Sequence, residues 1–293
     1  MYTAADGNSL RKLEELERRE GEFSGLAQFC RQLLALQSEA KSRFVVSISK
    51  FGEVTGSPRL AQGVPLLSFE DLSLERAQVE NLFQEVVTLL ARDSPDLAED
   101  SERLSNIASD KSLLDDVVRA WYEGSPLADI VVAHNVDNEL FAFVIGAVLK
   151  PFLSAYSEAL LPLVNQEAWR RRCCPICGGK PDFAFLERER GTRWLCCPRC
   201  DAQWLFQRLE CPYCGNQKHD SLAYLTDDEG LYRLYVCEEC RSYIKAIDLR
   251  LAESDVSLLV ERIITQDIDK QAQQAGYRRG CDEPSSLEKQ VML

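Results

Sequence analysis

The chain has 293 residues, twelve of them cysteine, and a formal net charge of −13. That length supplies ample material for a conventional apolar core, so small size does not explain the cysteines. The acidity opposes loose association with nucleic acid, whose affinity for proteins is largely counterion release by Lys and Arg, and leaves protein or small-molecule partners.

The opening stretch, MYTAADGNSLRKLEELERRE, lacks the basic start and apolar run of a signal peptide, so a cytoplasmic, reducing setting is expected. There, paired cysteines bind metal more often than they form disulfides. Residues 1–169 read as a multihelical domain. Asn8 and Ser9 offer a cap for a charged leading helix that carries Leu10, Leu13 and Leu16. Leu26, Phe29, Cys30 and Leu33 then follow the spacing of one buried helix face, which makes Cys30 a core residue. Arg43 to Phe69 has no helical period and carries Gly52, Gly56, Pro58, Gly63 and Pro65; it reads as an extended connection laid over the helices.

Helical spacing resumes at Val79, Leu82, Phe83 and Val86 and returns at Leu113 to Tyr122. His134, in VVAHNVDNEL, reads as structural. The most apolar stretch, Leu140 to Val164, is interrupted by Lys150, Pro151, Ser154, Ser157 and Glu158, which are expensive in a lipid-facing span; it reads as a buried helix, with no membrane insertion. At Trp169 and Arg170–Arg172 the composition changes sharply, and the domain boundary is placed there. Beyond Lys245 the helical period returns with Val256, Leu259, Val260 and Ile263, capped by Ser254 or Asp255. This is one C-terminal helix over 251–280, followed by a flexible tail over 281–293 in which Cys281 is an exposed thiol.

Ten of the twelve cysteines fall between Cys173 and Cys240. Eight form four Cys-x-x-Cys pairs: Cys174/Cys177, Cys197/Cys200, Cys211/Cys214 and Cys237/Cys240. Two intervening residues let the chain turn so that both thiolates face one ion, and two such knuckles complete a tetrahedral four-thiolate site. Gly178 and Gly215 follow the first and third pairs and suit the left-handed turn required there; Asp201 and Arg241 follow the others, so those knuckles are expected to turn differently.

Gly-ended and Gly-less knuckles alternate along the chain. Phe183-Ala184-Phe185-Leu186 matches Leu222-Ala223-Tyr224-Leu225, and each is followed by charged residues, a glycine (Gly191 or Gly230) and a second apolar stretch. The reading is a tandem repeat of knuckle, hairpin and knuckle, the layout of a rubredoxin or zinc ribbon, in modules over 170–208 and 209–250. Cys174, Cys177, Cys197 and Cys200 then hold one ion, and Cys211, Cys214, Cys237 and Cys240 the other. The crossed alternative, joining the two inner pairs, also has workable spacing but strands the outer pairs across two hairpins. Cys173 and Cys196 are left over, either packed beside the metal or able to exchange with a neighbouring ligand. His219 is a substitute ligand only where a thiolate is lacking. Arg170 to Glu210 holds nine Lys or Arg against five Asp or Glu, either a solvated face or a docking patch for an acidic partner.

With these residues in view the chain resembles the FdhE family of formate dehydrogenase accessory proteins. The resemblance is carried by the Pro-bent helix into Trp169, by CCPICGGKP, by Cys197 to Trp204, by QRLECPYCGN and CEECRSYIKAID, by the terminal QQAGYRR, and by RLAQGVPLLSFEDL over Arg59 to Leu72. It implies a helical domain joined to two rubredoxin-like modules, with the eight paired cysteines as iron ligands, one ion to each four-cysteine set. It implies also a maturation role in the cytoplasm on the catalytic subunit of respiratory formate dehydrogenase, before twin-arginine export, with no turnover reaction of its own. Tyr243, Lys245 and Asp248 belong to the family-like end of the second module.

The expected fold is therefore multidomain α+β: an N-terminal multihelical domain, two tandem rubredoxin-like or zinc-ribbon-like modules and a C-terminal helix. The expected function is that of a metal-carrying assembly factor, not an enzyme. The alternative is a zinc-ribbon adaptor or nucleic-acid-binding module whose metal is purely structural. Tetrathiolate sites accept iron and zinc alike, so zinc stands as the substitute ion, and the residues leave a homodimer open.

Overall fold

The structure is a computed structural model that describes residues 4–19, 21, 23–51, 57–253 and 255–281. The chain folds as two compact units, one from the described residues of 4–51 and 67–162, the other from 57–66 and 163–281. The helices are, in chain order, α1 (Ala4–Arg18), α2 (Ser24–Arg43), α3 (Pro58–Ala61), α4 (Arg76–Asp93), α5 (Ala98–Ser109) and α6 (Lys111–Glu123). They continue with α7 (Ala128–His134), α8 (Asn138–Leu160), α9 (Gln166–Trp169), α10 (Leu258–Ile264) and α11 (Gln266–Gln274).

In the first unit, helix α1 already runs through Asn8 and Ser9, so neither caps it; Asn8 Oδ1 instead accepts from Arg11. True caps occur where an acidic side chain meets free amides. Asp110 accepts from Ser112 N and Leu113 N at the start of α6, and Asp137 from Leu140 N at the start of α8. Helix α6 ends on Gly124 at φ 70°. Cys30 is half-buried on α2, and burial pushes its thiol up to about 11.

Helix α8 is the centre of this unit. Phe141, Val144, Ile145, Phe152 and Leu160 are completely covered, as the interrupted apolar stretch requires of a core helix. Pro151 lies inside it and has no N–H to offer the carbonyl four residues back. That carbonyl, Ala147 O, accepts instead from Gln37 Nε2 of α2 at 2.8 Å, so a buried glutamine completes the helix that the proline interrupts.

The second unit is built on one seven-stranded mixed sheet. Its strands are β1 (Phe183–Leu186), β2 (Arg193–Cys196), β3 (Gln203–Phe206), β4 (Leu222–Thr226), β5 (Tyr232–Cys237), β6 (Ser242–Asp248) and the two-residue β7 (Arg278–Arg279). Their order is β3-β2-β1-β6-β5-β4, with β7 also on β6. The two hairpins form where the repeat placed them, with Gly191 and Gly230 at positive φ. Each repeat adds a third strand after its second knuckle, β3 or β6, which hairpin signals alone do not announce. The repeats are fused by parallel pairing of β1 with β6, Phe183 opposite Lys245 through Leu186 opposite Asp248.

The C-terminal segment is two short helices and a strand rather than one helix. Ser257 stands at the N-cap of α10, Asp255 precedes it, and Ser254 lies outside the described residues, as does the tail from residue 282. Arg43 to Phe69 also differs from expectation. It contains helical turns at Ile48–Phe51 and α3, Gly52 and Gly56 lie outside the described residues, and 57–66 belongs to the second unit. Leu66 N donates to Pro175 O at 2.9 Å, and the Pro65 ring abuts Gly178, so this segment lies on the first knuckle.

Because Gln37 and Pro151 solve one problem together, their substitutions should not add. Gln37→Leu leaves a buried carbonyl unpaired and should cost about 1–3 kcal/mol in urea unfolding followed by helical circular dichroism. In a Pro151→Ala background the same change should cost clearly less; equal costs in both backgrounds would show that the glutamine has another role.

Candidate metal centre

Each knuckle is shaped by its backbone before any sulfur is considered. In the first three, the amide four residues after the leading cysteine returns to that cysteine's carbonyl: Gly178 N to Cys174 O, Asp201 N to Cys197 O and Gly215 N to Cys211 O, at 3.0–3.1 Å. The cysteine's own amide donates to the carbonyl beyond: Cys174 N to Gly179 O, Cys197 N to Ala202 O and Cys211 N to Asn216 O, each at 2.9 Å. The expected difference between glycine and non-glycine knuckles is absent. Asp201 (φ 57°) and Arg241 (φ 52°) adopt the same left-handed conformation as Gly178 (φ 74°) and Gly215 (φ 78°). For a residue with a Cβ this costs about 1–2 kcal/mol, accepted because converging two thiols leaves the backbone no other route. Arg241 is also held externally, by Glu238, by Ala275 O and over the Tyr277 ring. Gly179 is needed for another reason: a Cβ there would lie 3.0 Å from Cys197 Sγ and 2.8 Å from Arg199 Cδ.

The knuckles bring the eight paired cysteines into two groups, Cys174, Cys177, Cys197, Cys200 and Cys211, Cys214, Cys237, Cys240, with the ligand atoms of each within 4.8 Å of one another. The consecutive pairing, not the crossed one, is the one the chain adopts. Sulfur separations are 3.5 Å for Cys174–Cys200, Cys177–Cys197 and Cys177–Cys200, and 3.7 Å for Cys211–Cys240 and Cys214–Cys237. A tetrahedron with metal–sulfur bonds of about 2.3 Å has edges of about 3.8 Å, so both sets fit a single tetrahedral ion. Amide donors reach two of the sulfurs: Ile176 N approaches Cys174 Sγ at 3.4 Å, and Asn216 Nδ2 approaches Cys237 Sγ at 3.7 Å. His219 stands in the turn His219–Ser221 and joins neither group.

The sets differ in exposure and share an electrostatic pattern. All four thiols of the first are buried; in the second Cys214 is exposed and Cys240 half-buried. Hydrogen bonding with Cys174, Cys197 and Cys200 holds the Cys177 thiol well below its ordinary range, while burial pushes Cys174 and Cys200 well above it. In the second set the hydrogen bond between Cys211 and Cys240 lowers Cys240 to about 4 and raises Cys211, and burial takes Cys214 up to about 11. An entering cation therefore competes with the protons that the raised thiols hold.

No protein-family model matches the chain. It is 28% identical over 226 residues to the FdhE homolog of Aquifex aeolicus (strain VF5), covering 75% of this chain and 73% of that protein. It is 23% identical over 260 residues to the FdhE homolog of Shewanella baltica (strain OS223), covering 85% and 78%. The crystal structure of the FdhE protein from Pseudomonas aeruginosa superposes with a TM-score of 0.65 at 20% identity, over 97% of this chain and 96% of that one. The chain is similar to FdhE proteins over most of its length. Its fold is the one expected for the FdhE family: a helical region, a mixed sheet and two four-cysteine clusters.

The remaining conspicuous residues of the chain make internal contacts. Cys196 lies in an apolar cluster with Phe183, Phe185 and Ile247, and burial pushes its thiol up to about 12; burial raises Cys173 as well. Burial thus works against the thiolate form that ligand exchange requires. Cys281 is half-buried rather than exposed. Several arginines of this stretch are engaged within the protein. Arg170 pairs with Glu167, Arg172 donates to Tyr213 O, Arg188 to the carbonyls of Ala252 and Glu253, and Arg193 is only 2% exposed.

Tyr243, Lys245 and Asp248 are all buried on β6. Tyr243 and Lys245 both donate to Asp269 of α11, at 2.8 and 2.5 Å, while Asp248 accepts from Arg233 and Arg250. The sequence reading missed the bidentate Arg262–Asp182 pair, at 2.7 and 2.8 Å, which fastens α10 beside β1. It also missed the role of Arg193. That guanidinium lies between the Phe206 and Tyr235 rings, 5.2 and 5.3 Å from their centroids, and donates to the carbonyls of Gln207 and Glu210. Glu210 immediately precedes Cys211, so an arginine of the first repeat positions the first knuckle of the second.

A chelator titration of metal-loaded protein should be biphasic, with the Cys211 set emptying first because Cys214 is exposed; simultaneous loss would show that the two sites act as one. Lower pH should weaken both sites, since raised thiols bind protons in competition with metal, and metal retention measured from pH 8 to 5 checks the sign. Arg193→Met should weaken the Cys211 site by about tenfold or more while leaving the first site unchanged, the size of effect typical when the support around a ligand is removed. Metal counting in a Cys174→Ser, Cys177→Ser background isolates that site, and an unchanged affinity would remove Arg193 from its support.

Proposed function

We propose that this chain is a cytoplasmic accessory protein for the maturation of respiratory formate dehydrogenase, that it binds the catalytic subunit before export, and that it is not itself an enzyme. In this reading each four-cysteine set holds one iron ion. Cys174, Cys177, Cys197 and Cys200 are the ligands of one, and Cys211, Cys214, Cys237 and Cys240 those of the other. The observation that carries it is the complete use of the four Cys-x-x-Cys pairs in two tetrahedral donor sets within a chain similar to FdhE proteins. With every pair engaged as a ligand set, none remains for thiol–disulfide exchange.

Iron in a tetrathiolate set supplies scaffold stability and a one-electron couple. The chain's own residues do the rest. The knuckle amides hold the sulfurs in place, Pro65 and Leu66 cover the first knuckle, and Arg193 secures the second repeat against the first. The competing reading, a nucleic-acid adaptor with structural zinc, is weakened by the acidity of the chain and by arginines whose donors are spent internally.

Protein purified without oxygen should contain two iron ions and show thiolate-to-iron absorption. It should capture the catalytic subunit of a formate dehydrogenase, and a strain lacking it should make that subunit but oxidise little formate. Cys174→Ser with Cys177→Ser should abolish rescue. Full rescue by that variant would remove the first metal site from the function. A parent protein that captures no such subunit and instead retards nucleic acid at physiological salt would favour the adaptor.

A further inference from the structure

The six-strand path of the sheet ends in β3 and β4, and the protein treats these two end strands differently. The edge of β3 is covered by α9, and Leu205 N, on that edge, donates to Gln166 Oε1 at 3.3 Å. Strand β4 has no such cover among the described residues. Its antiparallel register with β5 places Ala223 opposite Val236 and Leu225 opposite Leu234. The flanking bonds, Glu238 N to Ser221 O and Asp227 N to Tyr232 O, show that the odd-numbered residues turn their main-chain groups toward β5. The N–H and C=O of Tyr224 and Thr226 and the C=O of Leu222 therefore point outward along the open edge, while Leu222 N–H donates to His219 O.

Edges are ordinarily guarded by a charge, a proline or a bulge, and the sequence LAYLT supplies none. Ala223 to Thr226 are all exposed, with Tyr224 at 54% and Leu225 at 63%. Arg233 of β5 stacks on Tyr224 from behind and is tied to Asp248. Both ends of the strand are acidic and exposed: Asp220 precedes it, and Asp227, Asp228 and Glu229 follow. Lys218, near its start, is paired with Glu239.

We propose that the open edge of β4 receives an extended segment of the partner protein as an added strand. That segment carries alternating apolar residues flanked by Lys or Arg. Main-chain bonds to the C=O of Leu222 and to the N–H and C=O of Tyr224 and Thr226 supply affinity, and the acidic ends select a basic segment and fix its position. The inference deepens the accessory reading and rests on it for the partner, the immature catalytic subunit.

Proline offers a clean test. At Tyr224 or Thr226 it deletes an outward donor while sparing the ladder to β5. With the full metal-loaded chain and purified catalytic subunit, Tyr224→Pro and Thr226→Pro should each weaken capture by about tenfold, the equivalent of one lost bond of ordinary strength, with metal content and circular dichroism unchanged. Asp228→Lys with Glu229→Lys should weaken it further and flatten its salt dependence. Hydrogen exchange on the unmodified complex provides a reading independent of the variants, with new protection expected at the amides of Tyr224 and Thr226. Capture by the parent with no such protection, or undiminished capture by folded proline variants, overturns the proposal. Self-association of the parent that Tyr224→Pro abolishes would assign the edge to a second copy and also overturn it. A parent that captures no catalytic subunit fails earlier, at the accessory reading itself.

Discussion

Parallel pairing of Phe183–Leu186 with Lys245–Asp248 turns two repeats into one sheet. Each repeat alone is a three-stranded unit around a single four-cysteine set, too small to bury much apolar surface. Joined through β1 and β6, they share Phe183, Phe185 and Ile247 as common core, and the helices after β6 have a continuous surface to cover. The join also makes β3 and β4 the two ends of a six-strand path, one under α9 and one bare among the described residues. Arg193, opposite Phe206 in the β2–β3 pair, reaches Glu210 four residues further on.

Charges buried around that join are placed with partners. Asp248 meets Arg233 and Arg250, Lys245 meets Asp269, and Asp182 meets Arg262. Ion pairs of this kind seldom add net stability over an apolar core, but removing one member leaves a buried charge and is strongly destabilising. Their service here is to specify which helix lies on which strand. The helical unit uses a neutral device for a similar purpose, the glutamine of one helix completing the proline-broken ladder of another.

What could be read from the sequence is what local chemistry determines. Metal-ligand spacing, the hairpin glycines Gly191 and Gly230, and the burial of α8 all follow from residues near one another in the chain, and the structure has them where expected. What could not be read depends on contacts between distant residues. Nothing near Phe183 announces a parallel partner sixty residues on, and Pro65 bears no mark of resting on Gly178. Arg193 sits in an arginine-rich stretch that composition assigns to solvent; only the rings of Phe206 and Tyr235, from two other strands, bury it. Asp201 and Arg241 show the opposite error, in which intrinsic backbone preference was given more weight than the demand of converging thiols.

The same parallel join sets an order of events during synthesis. Asp248 follows Leu186 by 62 residues, so β1 emerges from the ribosome well before its partner strand exists. At translation rates of about 5–20 residues per second, the wait is about 3–12 s. During that interval the nascent chain displays Phe-Ala-Phe-Leu on an unpaired edge, the kind of segment that seeds aggregation. The first four-cysteine set, by contrast, is complete by Cys200. Metal captured early by this set would hold the β1–β2 hairpin in register while it waits, a role separate from anything the metal does once folding is finished.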